Sequence, residues 1–561
     1  MATIPAYEKG NIEKGAPAPP EIVAARSNDG EIASRMYDER PSLLTCLGVT
    51  PESFKQRTLA DTHSQLNKTL TTRRLHLRVT GDRAIRHGRS VATHAQKITA
   101  KTIKKMHTKA LAQFAATATT DQLTPELRNK VKEVLIDFIG VAAGALDNAE
   151  STDPIYKAIV ALQGQGNTGN STVIGKGKPH MLPQYAALLN SAFAHSLDFD
   201  DTHAESTLHA GVTAISAALT QAELLSGEAT SERFMLAICV GYETVCRIGR
   251  ELGFESYHRG FHNTATAGVF GAVATIAVLK KLSAETVGMA FGLAGSRAAG
   301  SMQYLDNGSW NKRLHPGFAV HDAYMCVGLA EAGVVGATKI IEGEMGFLKA
   351  YSPREPKDLE RLVRDLGHEW IWRTSSLKPF PACRMTHVFI EMAGNLQSSR
   401  AITPEDIQGI RVTMSPTNYL LVGKHTPNKV HPQTTVDAQF SVYFQVANAL
   451  LYGANTGIQA YHKLNDPGIA ALSDRIIVET DADMSGFAGI LAVGWTSGSM
   501  DKVQMEFPLG EVRHPFTRDK VDAKFRSLTV PVYGEQKANE VIRMIDDLEK
   551  HTVSDMLSLL Q

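Results

Sequence analysis

Residues 190–216, NSAFAHSLDFDDTHAESTLHAGVTAIS, set the terms for the rest of the chain. Small and apolar residues run up to Leu197 as in a buried helix, and a second small-residue helix opens near Gly211. Between them Asp198, Asp200, Asp201, His203, Glu205 and His209 fall close together. Acids and imidazoles set between two helices of core composition cost several kcal/mol unless they pair or bind something. A capping loop, with Asp200 or Asp201 as N-cap and the histidines satisfied by backbone, accounts for any single residue here. It does not account for the group, because so many titratable side chains rarely gather beside a core without use.

The flanking chain supports helices of the same kind. Thr124-Pro125-Glu126 is a cap followed by proline at the first helical position, opening a helix to about Ala145. Residues 183–197, 211–225, 232–252, 264–282, 284–299 and 320–341 also read as helices, with buried faces rich in Ala, Gly and Val that let backbones approach closely. After about Trp372 the pattern changes: 410–414, 475–479 and 502–507 are short β-branched or alternating runs separated by helical stretches such as 436–452. Residues 537–560 return to a helical pattern that packs back on the first part.

The expected fold is therefore mainly α, with a large all-helical domain and a smaller α+β domain. The expected boundaries are 106–373 for the first helical part, 374–512 for the α+β domain and 513–561 for the helical return. Residues 1–54 are polar and proline-containing, and 55–105 hold thirteen Lys or Arg against Asp61 and Asp82. The stretch 1–105 reads as a disordered or basic extension.

Several classes are disfavoured at once. With 58 basic and 58 acidic side chains there is no global field for nucleic acid or a membrane surface. The smooth apolar run 267–279 is short for a bilayer span. Five cysteines, at 46, 239, 246, 326 and 383, form no CxxC pair, disulfide framework, zinc site or iron–sulfur spacing. The chain reads as intracellular, cytoplasmic or mitochondrial.

Four further polar islands break the apolar background. His262 leads into a glycine-rich helix, where free N–H groups favour an anion. Lys312 and His315 lie in DNGSWNKRLHPG, between apolar stretches. Lys378 and Arg384 lie in LKPFPACRMTH, where two prolines fix the backbone at the expected domain border and both cations can face a cleft. Tyr443 opens a helix and offers a hydroxyl. Cations that hold carboxylates, together with His and Asp groups that move protons, are what an enzyme acting on a polycarboxylate needs.

Taken together SLDFDDTH with LHAG, GFHNTATAGVFGA, NGSWNKRLHPGFAVHDA and LKPFPACRMTH resemble the MmgE/PrpD family, which includes 2-methylcitrate dehydratases and cis-aconitate decarboxylases. The resemblance runs from about residue 108 to the C-terminus. It implies a homodimer in which a small α/β lid clamps the site against a large all-α domain, with no cofactor. By motif it carries Asp198, Thr202, His209, His262, Lys312 and Lys378 into the site. The mammalian decarboxylase branch has a histidine where this chain has Cys383, and its active-site tyrosine aligns nearer Phe444 than Tyr443. HAESTLH resembles the fungal decarboxylases.

The expected activity is a cofactor-free lyase dehydrating a citrate-like tricarboxylate, 2-methylcitrate or a longer alkylcitrate, with cis-aconitate decarboxylation as the alternative. His209 and His262 are expected as base and acid, Asp198 as the orienter of an imidazole, and Lys312 and Lys378 as carboxylate clamps, with Thr202, Arg384 and Tyr443 binding substrate. Three rivals are a DxDD terpene cyclase (Asp198 to Asp201), a metal-chelating Asp/His enzyme and a degenerate binding subunit. Polar, lysine-bearing islands suit a hydrocarbon substrate poorly.

Overall fold

The computed structural model describes residues 106–164, 166, 168–352 and 358–561. The extension expected over 1–105 lies outside the described residues.

Helices α1 (His107–Thr117), α2 (Pro125–Asn148), α3 (Thr152–Gln163), α4 (Pro183–Ser196), α5 (Gly211–Leu224) and α6 (Ser231–Leu252) build the first part. Thr124 caps α2 through its hydroxyl, which accepts from Leu127 N at 3.2 Å, with Pro125 just inside. Next come the short α7 (Asn263–Thr266), α8 (Gly268–Lys280), α9 (Ala284–Ala294) and the long α10 (Asn311–Glu331). Glycine lets these helices touch backbone to backbone. A Cβ at Gly241 of α6 would lie 1.9 Å from Thr275 Oγ1 of α8, and one at Gly317 of α10 2.8 Å from the Leu188 carbonyl of α4. The second crossing matters most, because it brings the first turn of α10 against the last turn of α4.

α10 corrects the expected helix over 320–341. It starts nine residues earlier and takes in Lys312, His315 and Pro316, while 332–346 is not helical. The island DNGSWNKRLHPG is thus in part a buried helical turn rather than an exposed loop. Asn263–Lys280 is longer than the apolar run read from the sequence. It is the one stretch among the described residues long and apolar enough to cross a membrane, and 94% of it is buried inside the protein.

The smaller core gathers α11 (His387–Ser399), β1 (Ile407–Met414), α12 (Val442–Tyr452), β2 (Ile476–Thr480), β3 (Gly489–Trp495) and β4 (Met500–Met505). The sheet order is β2-β1-β3-β4, with β1 parallel to β2 and antiparallel to β3, and β3 antiparallel to β4. β3 was not expected from the sequence. It buries Gly489, Leu491, Val493 and Trp495 in strict alternation, and Gly489 sits where a Cβ would strike the Phe389 ring of α11 at 2.4 Å.

The chain then returns to the larger core through α13 (Arg518–Tyr533), α14 (Glu535–Asp546) and α15 (Val553–Ser558). Lys524 of α13 forms a buried pair with Asp137 of α2 at 2.6 Å and donates to the Phe199 carbonyl at 2.7 Å. The C-terminal helices therefore hold the back of the acidic loop. The fold is mainly helical with a smaller α+β part, and we assign the two cores to the domains whose borders the sequence placed at 374 and 512.

Candidate active site

The loop between α4 and α5 is held from three sides. Asp198 adopts the left-handed conformation, φ 50°, uncommon for a residue other than glycine and best tolerated by Asn and Asp. Lys378 Nζ donates to the Asp198 carbonyl at 2.8 Å and lies 3.1 Å from its carboxylate. Lys312 Nζ of α10 lies 2.6 Å from the same carboxylate oxygen. Thr202 exchanges backbone hydrogen bonds with Ser376 at 2.9 and 2.7 Å, tying the loop to the segment that carries Lys378. Two islands far apart in sequence thereby converge on one aspartate. Burial alone would raise the Asp198 carboxyl, but Lys312 and Lys378 more than reverse this and hold it ionised, far below the usual range.

Behind it, Asp200 Oδ2 accepts from His195 Nδ1 at 2.8 Å, and His209 Nδ1 lies 2.9 Å from the same oxygen with its N–H off the line of an ideal bond. His195 Nε2 in turn is 3.1 Å from Lys312 Nζ. His209 Nε2 points towards Asp198, at 4.0 Å. The carboxylate that lies against two imidazoles is thus that of Asp200, whereas the Asp198 carboxylate, expected to orient an imidazole, lies against two ammonium groups. His262 Nδ1 is 3.1 Å from His315 Nδ1, so one imidazole donates and the other accepts. Burial, assisted by Lys312, pushes His315 down to about 4, and burial carries His195 to about 3 despite Asp200. His209 and His262 are also lowered by burial.

Asp198, Thr202, His209, His262, Lys312, Lys378 and Arg384 all line one cavity of about 1260 Å³. Its lining also includes apolar Leu421, Phe440, Met484, Phe487 and Ile490, from the smaller core and the segments beside it. Arg384 reaches this cavity while its guanidinium is held by the Leu509 carbonyl at 2.8 Å and Glu511 at 3.0 Å. Tyr443 is a correction. It does not line the cavity, because its buried hydroxyl donates to the Gly423 carbonyl at 2.8 Å inside the smaller core.

His195 and the pairing role of Asp200 escaped sequence reading. His195 looks like one polar residue at the end of a core helix, and only the crossing of α4 with α10 shows what it faces. Tyr257 and Tyr304 also line the cavity and carry no sequence signal beyond an aromatic.

Two groups bring ligand-type atoms within 4.8 Å of one another: His195, His209 and His262, and Asp198, Asp200 and His209. The Lys312 ammonium stands among them, 2.6 Å from Asp198 and 3.1 Å from His195, so a cation is already built into the place a metal ion would take.

Stability should report the buried imidazoles. Burial lowers His195 to about 3 and both His203 and His315 to about 4. A histidine with a depressed folded pKa stays neutral in the fold but is protonated once unfolded, so its stabilisation is present above about 6.5 and is lost as pH falls. Asp201 works the other way: burial, Asp200 and Asp137 raise it to about 8, and it opposes stability as pH rises towards that value. With His209, His262 and His387 also lowered, the imidazoles outnumber the raised acids Asp201, Asp137 and Glu243 and leave a net loss on acidification from pH 6.5 to about 4, on the order of 1.4 kcal/mol per pH unit for each uncompensated group. Melting temperatures across that range should fall, and a flat profile would show that these imidazoles take up protons in the fold.

Residues 109–360 match the MmgE/PrpD N-terminal domain and 380–550 the MmgE/PrpD C-terminal domain. Cis-aconitate decarboxylase of Aspergillus terreus is 27% identical over 482 residues, covering 81% of this chain and 95% of its own. Human cis-aconitate decarboxylase is 25% identical over 450 residues, 76% of this chain and 88% of its own. A cis-aconitate decarboxylase-like protein of Aspergillus oryzae is 25% identical over 456 residues, 78% and 93%. With both domain matches in order along one chain, the protein belongs to the MmgE/PrpD family.

Proposed function

We propose that the chain is a lyase that removes water from a citrate-like tricarboxylate, 2-methylcitrate or a longer alkylcitrate. The observation that carries this reading is the carboxylate-backed imidazole, His209 on Asp200 at 2.9 Å, at the cavity wall. Dehydration needs a base for the proton beside a carboxylate and an acid for the departing hydroxyl, whereas decarboxylation needs only a proton donor once carbon dioxide has left. His209 fits the base, and His262, hydrogen-bonded to His315 at 3.1 Å, fits the acid once it has gained a proton. Lys312 and Lys378 supply the positive charge that stabilises the carboxylate as charge builds on it. The apolar wall, including Met484, Phe487 and Ile490, suits an alkyl substituent.

The second reading is decarboxylation of cis-aconitate, favoured by the names of the relatives. Cys383 lines the cavity, and burial beside Asp198 pushes its thiol up to about 11, so it stays neutral. Calorimetry with a saturated tricarboxylate that lacks a hydroxyl tests the substrate class: it should bind the wild type and lose most of its affinity when Lys312 and Lys378 are both replaced by methionine. Equal binding to both proteins would remove the tricarboxylate from this cavity.

On this reading the ammonium groups do the work of a metal. Activity should survive EDTA in full, and activity lost to chelator and restored by a divalent ion would overturn this. We also propose a homodimer. Phe318, Met325 and Leu329 form an exposed apolar stripe along α10, continued by Val334 and Val335. Light scattering should give twice the mass of one chain; a single-chain mass would leave the stripe without that role.

A further inference from the structure

The loop carries six acidic or imidazole groups, and one of them, Asp200, neither lines the cavity nor pairs with a cation from another island. Its Oδ2 meets two imidazoles, His195 Nδ1 at 2.8 Å and His209 Nδ1 at 2.9 Å. Its Oδ1 is buried with no hydrogen-bond partner among the described residues. The two rings are 4.6 Å apart and nearly perpendicular, as two edges converging on one oxygen require. We infer that Asp200 is a positioning residue that fixes the tautomers of His195 and His209 together, seating the Lys312 ammonium on one imidazole and baring Nε2 of the other to the cavity. This rests on the lyase reading above.

A carboxylate oxygen within 2.9 Å of an imidazole nitrogen repels an unprotonated nitrogen, so both Nδ1 atoms carry the hydrogen and both Nε2 atoms are bare. For His195 the bare Nε2 faces Lys312 Nζ at 3.1 Å, and it accepts from the ammonium. Lys312 is then held by His195 and by Asp198. That fixes the direction of its remaining N–H, which a substrate carboxylate would meet. For His209 the bare Nε2 is on the cavity side, where it can take a proton, and the imidazolium so formed is stabilised by the carboxylate behind it. The other titratable groups near Asp200 are Asp198, Asp137, Asp201 and Lys524; none is in a hydrogen bond with its carboxylate, and the Lys524 ammonium is taken up by Asp137 and the Phe199 carbonyl. One oxygen thus sets the geometry of a clamp and of a base. His195, behind the cavity wall, acts only through Lys312.

The test uses the full chain with nitrogen-labelled histidine, read by NMR without ligand, the two signals being assigned by their disappearance in His195→Gln and His209→Gln. Both residues should appear as Nδ1–H tautomers with bare Nε2. Either one found as the Nε2–H tautomer overturns the inference, and this holds even if no variant at Asp200 folds. In Asp200→Asn the tautomers should become mixed and kcat should fall by roughly 10²–10⁴-fold, while calorimetric binding of the saturated tricarboxylate weakens, though less than in Lys312→Met. Unchanged kcat in that variant would also overturn it. If the wild type turns over no tricarboxylate, the lyase reading fails, and the spectra alone decide the tautomers.

Discussion

Replacing His209 or His262 by alanine should lower kcat by roughly 10²–10⁴-fold, with tricarboxylate binding largely kept. Both imidazoles line the cavity, and both are held neutral by burial, which leaves each an unprotonated nitrogen able to accept a proton. Neither forms the charge-assisted contacts that hold Asp198; those belong to Lys312 and Lys378. Losing either lysine should therefore appear mainly as a raised KM, at about 1.5–3 kcal/mol per charged contact. Steady-state kinetics beside calorimetry separates the two kinds of loss. If His262→Ala abolishes binding while Lys312→Ala leaves binding and rate intact, the roles are assigned the wrong way round.

Asp198→Ala should be the most destabilising of the site substitutions, by about 3–5 kcal/mol. It leaves the Lys312 and Lys378 ammonium groups buried without their shared counter-charge, 2.6 and 3.1 Å from where the carboxylate was. A tricarboxylate should restore part of that loss, since its carboxylate can take the vacated place between the two cations. The ligand-induced rise in melting temperature should thus be larger in Asp198→Ala than in the wild type. An equal or smaller rise would mean that substrate carboxylates do not bind at these lysines.

Much of this was legible in the sequence for a physical reason: small-residue helices announce close packing, and polar residues set into such helices stand out. Asp198, His209, His262, Lys312 and Lys378 stood out in this way, and the structure brings all five to one cavity wall. What was illegible depends on contacts distant in sequence. His195 looked like core until α4 crossed α10 at Gly317. Lys312 looked like loop because Asn, Gly and Pro surround it, yet packing against α4 overrides those local preferences and starts the helix at Asn311. β3, GILAVGW, interrupts its strand formers Ile490, Val493 and Trp495 with two glycines and an alanine, and it is a strand because β1 and β4 flank it and α11 covers it. Tyr443 misled because a hydroxyl near a polar island looks available until the Gly423 carbonyl claims it.

The most direct test of the account is product analysis by mass spectrometry, with 2-methylcitrate, longer 2-alkylcitrates and cis-aconitate each given to the purified, chelator-treated protein. The account predicts a product lighter by one water from at least one citrate, and no carbon dioxide released from cis-aconitate. Loss of carbon dioxide from cis-aconitate, with every citrate unchanged, would contradict it.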